Sequence, residues 1–391
     1  MFALKYDAPT TALADYDYEA TMHNTEGRIT EFMRKFGLSC DIVHVTHASA
    51  VSKYHIALDN INSIGKEVGA AKKLSALLNV PVTAKPSNCA HFCFEIVRHD
   101  RLTVRFNEKF IMESGLFEQP GHLCPFVLGV DTDNRPMVTN LKESVHILLC
   151  GKTGGGKSVC LHTILSSLSL RTNPNQLEIH GADFKRVELS KYRTLPHVVA
   201  GWDSFCKYET HNRITPTAAT SPIIDNLRDL SKRLNYLVDT MEHRYRILEE
   251  YGFEEIPSSV NRILLVIDEL GDAMLVGGKA IEEPLVRLMA KGRACGIHVI
   301  LSTQRPEERI ASRLIRANAP TRIALKVSDH HESKLILGIE KAGAEKLAGN
   351  GDAIILYPGN PDPVRFQGPY ISNEDVKTLV SVASDYWHKG G

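Results

Sequence analysis

Apolar positions change their spacing several times along the chain, and each change marks an element. From about Gly27, the segment GRITEFMRKFGLSC carries apolar residues at helical spacing. Strand-like DIVHVTHA and SKYHIALDN follow, then helical SIGKEVGAAKKLSALLNV and strand-like FCFEIVR. Together they predict a small α/β unit over residues 28–118, preceded by a polar arm over residues 1–27. Beyond residue 119, apolar runs alternate with helical segments. The runs are Val145 to Cys150, QLEIHGAD ending at Asp183, RILLVIDEL around Asp268, GIHVILSTQ ending at Gln304, and TRIALKV from Thr321. Alternation of this kind predicts an α/β fold with a parallel-rich central sheet. A long helical segment, LRDLSKRLNYLVDTMEHRYRILEEYGF, separates the second run from the third. The polar stretch before it, from about Trp202 to Asn226, shows no pattern that explains its length. This larger unit is expected over residues 119–380, with a tail over residues 381–391.

Ligands of open parallel sheets sit beyond the carboxyl ends of the strands, so the residues at those ends matter most. The first run leads into Gly151-Lys152-Thr153-Gly154-Gly155-Gly156-Lys157-Ser158, which is G-x-x-x-x-G-K-S. Glycines let a loop wrap a phosphate with its N–H groups turned inward, at a closeness that a Cβ obstructs. Lys157 supplies charge for the β and γ phosphates, and the Ser158 hydroxyl suits Mg²⁺. The segment SVCLHTILSSLSL, in which Val159 lies, predicts a helix whose positive end faces the anion. The expected cofactors are ATP and Mg²⁺.

Two acids end the run RILLVIDEL. Asp268 suits a magnesium ion that keeps most of its water, and Glu269 suits orientation of the attacking water. Gln304 closes another run, where it is placed to bond phosphate and water or else to serve as a strand-end amide in a turn. Asp183 is a candidate for positioning water or metal, with a helix cap as the alternative. Arg293, in LMAKGRACGIHV, reads by default as a salt-bridged surface arginine unless a neighbouring subunit presents its nucleotide there.

Composition adds limits. The 391 residues are 43% hydrophobic, enough to bury a sizeable core in two domains. No apolar run approaches the roughly 20 residues of a membrane span, and MFALKYDAPTTALADYDYEA lacks a basic-then-apolar signal pattern. A cytoplasmic location is therefore expected, and eight cysteines without a paired framework fit a reducing compartment. The cluster CAHFC, with His91 and Cys124, matches no common zinc spacing and reads as part of a strand. Lys and Arg total 46, as do Asp and Glu, so any nucleic-acid surface must be local.

The order of motifs resembles the FtsK/SpoIIIE family of DNA-pumping ATPases. The likeness is carried by GKTGGGKSV, DFKRVELSKYRTLPHVV, MEHRYRILEEYG, LLVIDELGD, KGRACGIHVILSTQRP, LIRANAPTRIALKVSD, GAEKLAGNGDAIILYPG and PVRFQGPYISNEDV. It runs from about residue 28 to about residue 378. The resemblance implies a RecA-like P-loop ATPase subdomain with a smaller α subdomain, assembled as a homo-hexameric ring around double-stranded DNA. It implies that Arg293 acts on the neighbouring subunit's nucleotide, and that Arg305, Arg316 and His330 fall at DNA-lining positions. His330 stands where the family commonly has lysine, and a neutral imidazole is a weaker phosphate partner. With no membrane-spanning segment at its start and no winged-helix domain at its end, the expectation is a soluble motor domain only. An accessory DNA-loading or recombination protein is an expected partner.

Segregation, conjugation and genome packaging all fit such a motor. An FtsK-like ATPase powering protein secretion is the alternative from another class, although such motors usually chain several ATPase modules. A nucleotide switch that moves nothing is the third reading, and the intact acid pair with Gln304 argues against it.

Overall fold

The computed structural model of the chain describes residues 18–59, 65–88, 91–98, 101–198 and 222–389. Contacts divide the chain into two units, Met1–Lys109 with Val130–Arg135, and Phe110–Gly129 with Pro136–Gly391. The stretch around Trp202 lies outside the described residues, as does most of the expected arm.

The first unit contains α1 (Tyr18–Lys35), β1 (Cys40–His47), β2 (Val51–Leu58), α2 (Glu67–Leu78), β3 (Val82–Asn88) and β4 (His91–Val97). Its strands form an antiparallel sheet in the order β1-β2-β4-β3. Apolar residues four apart, Ile29 with Met33 and Ala70 with Leu74, pack with Tyr54, Ile56, Phe92 and Phe94 in one core. The first helix begins at Tyr18, inside the stretch expected to be an arm. Residues 18–26 show no apolar stripe, but Glu, Ala and Met there favour a helix. Within CAHFC, Cys93 is a buried residue of β4, and burial pushes its thiol up to about 11. Cys89 lies outside the described residues and Cys124 belongs to the other unit. Among the described residues no group of three or more His, Cys, Asp or Glu is placed to hold a metal.

The second unit holds α3 (Glu108–Glu113) and β5 (Pro125–Asp131), both of which straddle the division, with β6 (Pro136–Asn140), α4 (Leu141–Ser144), β7 (His146–Cys150), α5 (Lys157–Arg171) and β8 (Leu177–Asp183). After these come β9 (Ile223–Ile224), α6 (Leu227–Tyr251), β10 (Arg262–Asp268), α7 (Leu270–Gly277), α8 (Lys279–Lys291) and β11 (Ile297–Thr303). The remainder is α9 (Arg313–Ala317), β12 (Thr321–Leu325), α10 (His330–Leu337), β13 (Asp352–Leu356), β14 (Val364–Gln367) and α11 (Asn373–His388). Its sheet runs β6-β5-β14-β13-β12-β7-β11-β10-β8-β9. The stretch from β12 to β9 is parallel throughout, while β13 pairs antiparallel with β12 and β14. Every residue of β7, β10 and β11 is buried, which is why these strands read as unbroken apolar runs. Their register aligns Asp268 with Asp183 and Thr303 with Cys150. Four strands thus end at one level, and their terminal residues share one edge.

Helix α6 is capped by Asn226, whose side chain accepts from Asp229 N, and stops at Gly252 with φ 67°. Its Leu230, Leu234, Leu237, Val238 and Met241 enter the main core. Helix α11 continues through the segment expected as a tail, because Val376, Leu379, Val380 and Ala383 form a buried stripe and Trp387 donates to Ser169 O (2.8 Å).

Candidate active site

The loop after β7 is shaped by glycines with specific duties. Gly154 and Gly156 have φ of 81° and 103°, a region that side chains rarely occupy. A Cβ at Gly156 would meet Gly351 N at 2.6 Å. Gly351 N donates to Gly155 O (3.0 Å) and Asn350 N donates to Gly154 O (3.4 Å), so GNGD before β13 straps the loop from outside. Lys152 N donates to Lys326 O, and Gly151 N to Thr303 O. Gly351 itself has φ 87°, and a Cβ there would meet Gly368 O at 2.9 Å. Left-handed backbone costs a side chain roughly 1–2 kcal/mol before any clash. Gly351→Ala is therefore expected to lower unfolding stability by at least about that much and to weaken ATPγS binding, as read by urea titration and calorimetry; unchanged binding would remove the strap from the site.

Lys157 opens α5 and is buried. Its Nζ donates to Asp268 Oδ1 (2.6 Å) and to the Ser302 hydroxyl (2.9 Å), which donates to the same Asp268 oxygen (2.6 Å). A buried ammonium needs such partners, and these two hold it within the loop that wraps phosphate. Glu269 follows at φ 60° and ψ 69°, in the left-handed region, and its side chain is buried. Glu269 Oε1 accepts from the Thr303 hydroxyl (2.9 Å) and from Gln304 N (3.2 Å). Among the described residues Glu269 Oε2 has no hydrogen-bond donor, and it faces Lys185 Nζ at 3.6 Å. Backbone in this region is strained for a side chain, so the surrounding contacts fix where Glu269 points. Gln304 Oε1 accepts from the Thr153 hydroxyl (2.7 Å), linking the end of β11 to the phosphate loop.

Asp183 is nearly inaccessible, and both its oxygens are taken by backbone. Oδ1 accepts from Lys185 N (3.1 Å) and Oδ2 from Leu189 N (2.9 Å). These are cap contacts, and no bond from Asp183 to the phosphate loop is formed. The turn it shapes delivers two residues that the sequence did not single out, Lys185 toward Glu269 and Glu188 toward His162. Hydrogen bonds from His162 (3.0 Å) and Lys191 (2.8 Å) hold the Glu188 carboxyl well below the usual carboxylate range, against its partial burial. Val159 is half-buried in the first turn of α5.

Arg293 is exposed and makes no ion pair among the described residues. It precedes the amino end of β11, whereas Lys157 follows the carboxyl end of the neighbouring parallel β7. Seven residues of strand at about 3.3 Å each put roughly 20 Å between those two levels. Arg305 is exposed just past β11, and His330 is exposed at the start of α10. Arg316 differs from the surface position expected of it. Its side chain is only 14% accessible, donates to Ala311 O (2.6 Å) and pairs with Glu308 at 3.5 Å. The guanidinium is committed to the chain's own loop.

Oxygen donors and few carboxylates are what magnesium selects, and Ser158 with Asp268 fit that pattern without a three-ligand cluster. A glycine loop, a buried lysine, an acid pair and a polar residue at the next strand end define a P-loop nucleotide-binding ATPase fold. The model of the FtsK/SpoIIIE family matches residues 109–262 and 258–308. The chain belongs to the FtsK/SpoIIIE family of ATPases. It is 30% identical to DNA translocase SftA of Bacillus subtilis (strain 168) over 89% of this chain and 36% of that protein. It is 31% identical to DNA translocase FtsK of Lactococcus lactis subsp. cremoris (strain MG1363) over 92% of this chain and 47% of that protein. The chain thus spans less than half the length of these relatives. Its fold is shared with the pCW3 conjugation coupling protein TcpA, monomer form with ATPγS, at TM-score 0.60 and 21% identity, covering 92% of this chain and 99% of that one. It is also shared with Thermomonospora curvata EccC (ATPases 2 and 3) in complex with a signal sequence peptide, at TM-score 0.54 and 20% identity, covering 81% and 52%. Among the described residues no helix is long and apolar enough to cross a membrane.

Proposed function

We propose that this chain is the motor of an ATP-driven duplex DNA translocase, working in the cytoplasm as a hexameric ring. The reading rests on the buried Lys157–Asp268–Glu269 arrangement in a chain whose DNA-translocase relatives match 89–92% of its length. The loop amides from Gly151 to Ser158 and the Lys157 ammonium bind the β and γ phosphates. Ser158 and Asp268 hold Mg²⁺, which when bound neutralises charge on the phosphates. Glu269 takes a proton from the attacking water, Gln304 orients that water, and Arg293 serves the neighbour's site. Arg305 and His330 contact the DNA backbone, and Arg316 shapes the loop that carries Arg305.

The test is ATP turnover with duplex DNA, single-stranded DNA or a secretion signal peptide as stimulant. Duplex DNA is expected to stimulate most. Stimulation by peptide alone would favour a protein-secreting motor, and no stimulation by any of them would favour a nucleotide switch. Although the chain is formally neutral, duplex binding is expected to fall steeply with salt. Arg305→Ala is expected to reduce the slope of log K against log salt by about 0.9 for each phosphate that the arginine neutralises. An unchanged slope would place Arg305 off the DNA.

A further inference from the structure

An arginine that reaches across a subunit boundary has no partner in its own subunit to aim it, so the backbone beneath it must be held instead. Arg293 is exposed and makes no ion pair among the described residues. It lies in the turn that joins α8 to β11. Each backbone carbonyl from Lys291 to Cys295 accepts a hydrogen bond. Ile297 N donates to Gly292 O (2.9 Å) and Gly296 N to Arg293 O (3.0 Å), which folds the turn on itself. The other donors come from outside it. Ile256 N donates to Ala294 O (2.9 Å). Helix α6 supplies the rest: the Tyr245 hydroxyl donates to Lys291 O (2.7 Å) and Arg244 Nη1 to Cys295 O (2.7 Å). These neighbours on one helix therefore grip the segment on both sides of Arg293.

Arg244 is itself anchored. Its Nη2 donates to Asn261 Oδ1 (2.9 Å), and Asn261 Nδ2 donates to Glu178 Oε2 (3.1 Å), which ties the guanidinium to β8 and to the residue before β10. A planar fork serves two acceptors in fixed directions, as an ammonium on a flexible stem does not. Water would satisfy Lys291 O at the exposed end of α8. The Tyr245 hydroxyl adds a fixed position that water does not.

We infer that Arg244 and Tyr245 are positioning residues for Arg293: from α6 they fix its turn, so that its guanidinium meets the neighbouring subunit's nucleotide. This rests on the reading that Arg293 serves that nucleotide. Through the two residues, α6 acts on an ATP that its own subunit does not bind.

The test uses turnover in variant and mixed rings. Arg244→Lys keeps a charge beside Asn261 but loses the fork, and Tyr245→Phe loses only the hydroxyl. Arg244→Lys is expected to lower kcat on the order of tenfold, inside the roughly 10²-fold that a 1 Å misplacement costs, with KM for ATP within about twofold of wild type. Tyr245→Phe is expected to lower kcat severalfold with KM likewise kept. Added to Arg293→Ala, either should change nothing further, because its effect passes through that arginine. Mixing shows on which side of a boundary Arg244 acts. Rings of Arg244→Lys with Lys157→Ala, which keeps its own Arg293 turn, should rise above both parents. Rings of Arg244→Lys with Arg293→Ala should never exceed Arg244→Lys alone, since no boundary then has an intact Arg293 side. Recovery with Arg293→Ala but not with Lys157→Ala would put Arg244 at its own nucleotide and overturn the inference. So would a further loss on top of Arg293→Ala, a raised KM with unchanged kcat, or kcat within about twofold of wild type in both variants. The mixture of Lys157→Ala with Arg293→Ala tests the reading beneath. Without recovery there, Arg293 does not act across the boundary and this assignment falls with it; recovery there and none between Arg244→Lys and Lys157→Ala removes Arg244 alone. Each variant is first checked for ring assembly and a cooperative thermal transition. If Arg244→Lys lacks either, Tyr245→Phe decides through its kcat, its KM and its effect on Arg293→Ala.

Discussion

Glu269→Gln is expected to bind ATP and turn it over about 10²- to 10⁴-fold more slowly, the usual contribution of a positioned general base. The substitution leaves Lys157, Asp268 and the glycine loop in place, so binding survives. Thr303 and the backbone N–H of Gln304 already fix one carboxylate oxygen, and an amide oxygen accepts from the same donors. What is lost is the basic oxygen next to Lys185, Glu269 Oε2, which carries no hydrogen bond among the described residues. Lys157→Ala behaves differently. It removes the phosphate-binding ammonium and leaves the buried Asp268 with a hydroxyl alone as partner, so both nucleotide affinity and stability fall. Breaking a buried pair costs on the order of 3–5 kcal/mol. Equilibrium binding, single-turnover hydrolysis and urea titration of the two variants separate the roles. Near wild-type turnover in Glu269→Gln would transfer the base to another group.

Most of the parallel sheet was legible because strands buried on both faces are written as continuous apolar runs, and β7, β10 and β11 are buried throughout. The phosphate loop was legible because its glycines are close in sequence. What stayed hidden depends on segments distant in sequence. Gly351 straps the loop from about 200 positions away, near a motif that the family resemblance picked out without giving it chemistry. Ser302 and Thr303 looked like strand residues, yet they hold Asp268 and Glu269 from the neighbouring strand. Strand β3 was missed because VTAKPSN has weak apolar alternation and contains a proline. At Arg316 residue type marks a charge, and only the fold shows that Ala311 O and Glu308 bond it.

Arg293→Ala is expected to assemble, bind ATP and hydrolyse it about 10³- to 10⁵-fold more slowly, the range for an arginine that stabilises charge on a transferring phosphoryl group. Arg293 sits at the amino level of β11 and Lys157 at the carboxyl level of β7, so the side chain is far from its own phosphate loop. It is exposed and makes no ion pair among the described residues, so its removal leaves the fold of the subunit intact. A ring gives such an arginine a target, because each nucleotide then lies near a subunit boundary. Lys157→Ala rings are equally inactive but keep Arg293. Mixing the two variants creates some boundaries with an intact Lys157 on one side and an intact Arg293 on the other. Those boundaries should hydrolyse ATP, so activity should rise above both parents as the mixing ratio approaches equality. The recovered activity stays below wild type, since intact boundaries alternate with dead ones. Well-mixed hexamers without any recovery would end the assignment across the boundary. An Arg293→Ala chain that stays monomeric under conditions where wild type forms rings would instead make this arginine part of the interface.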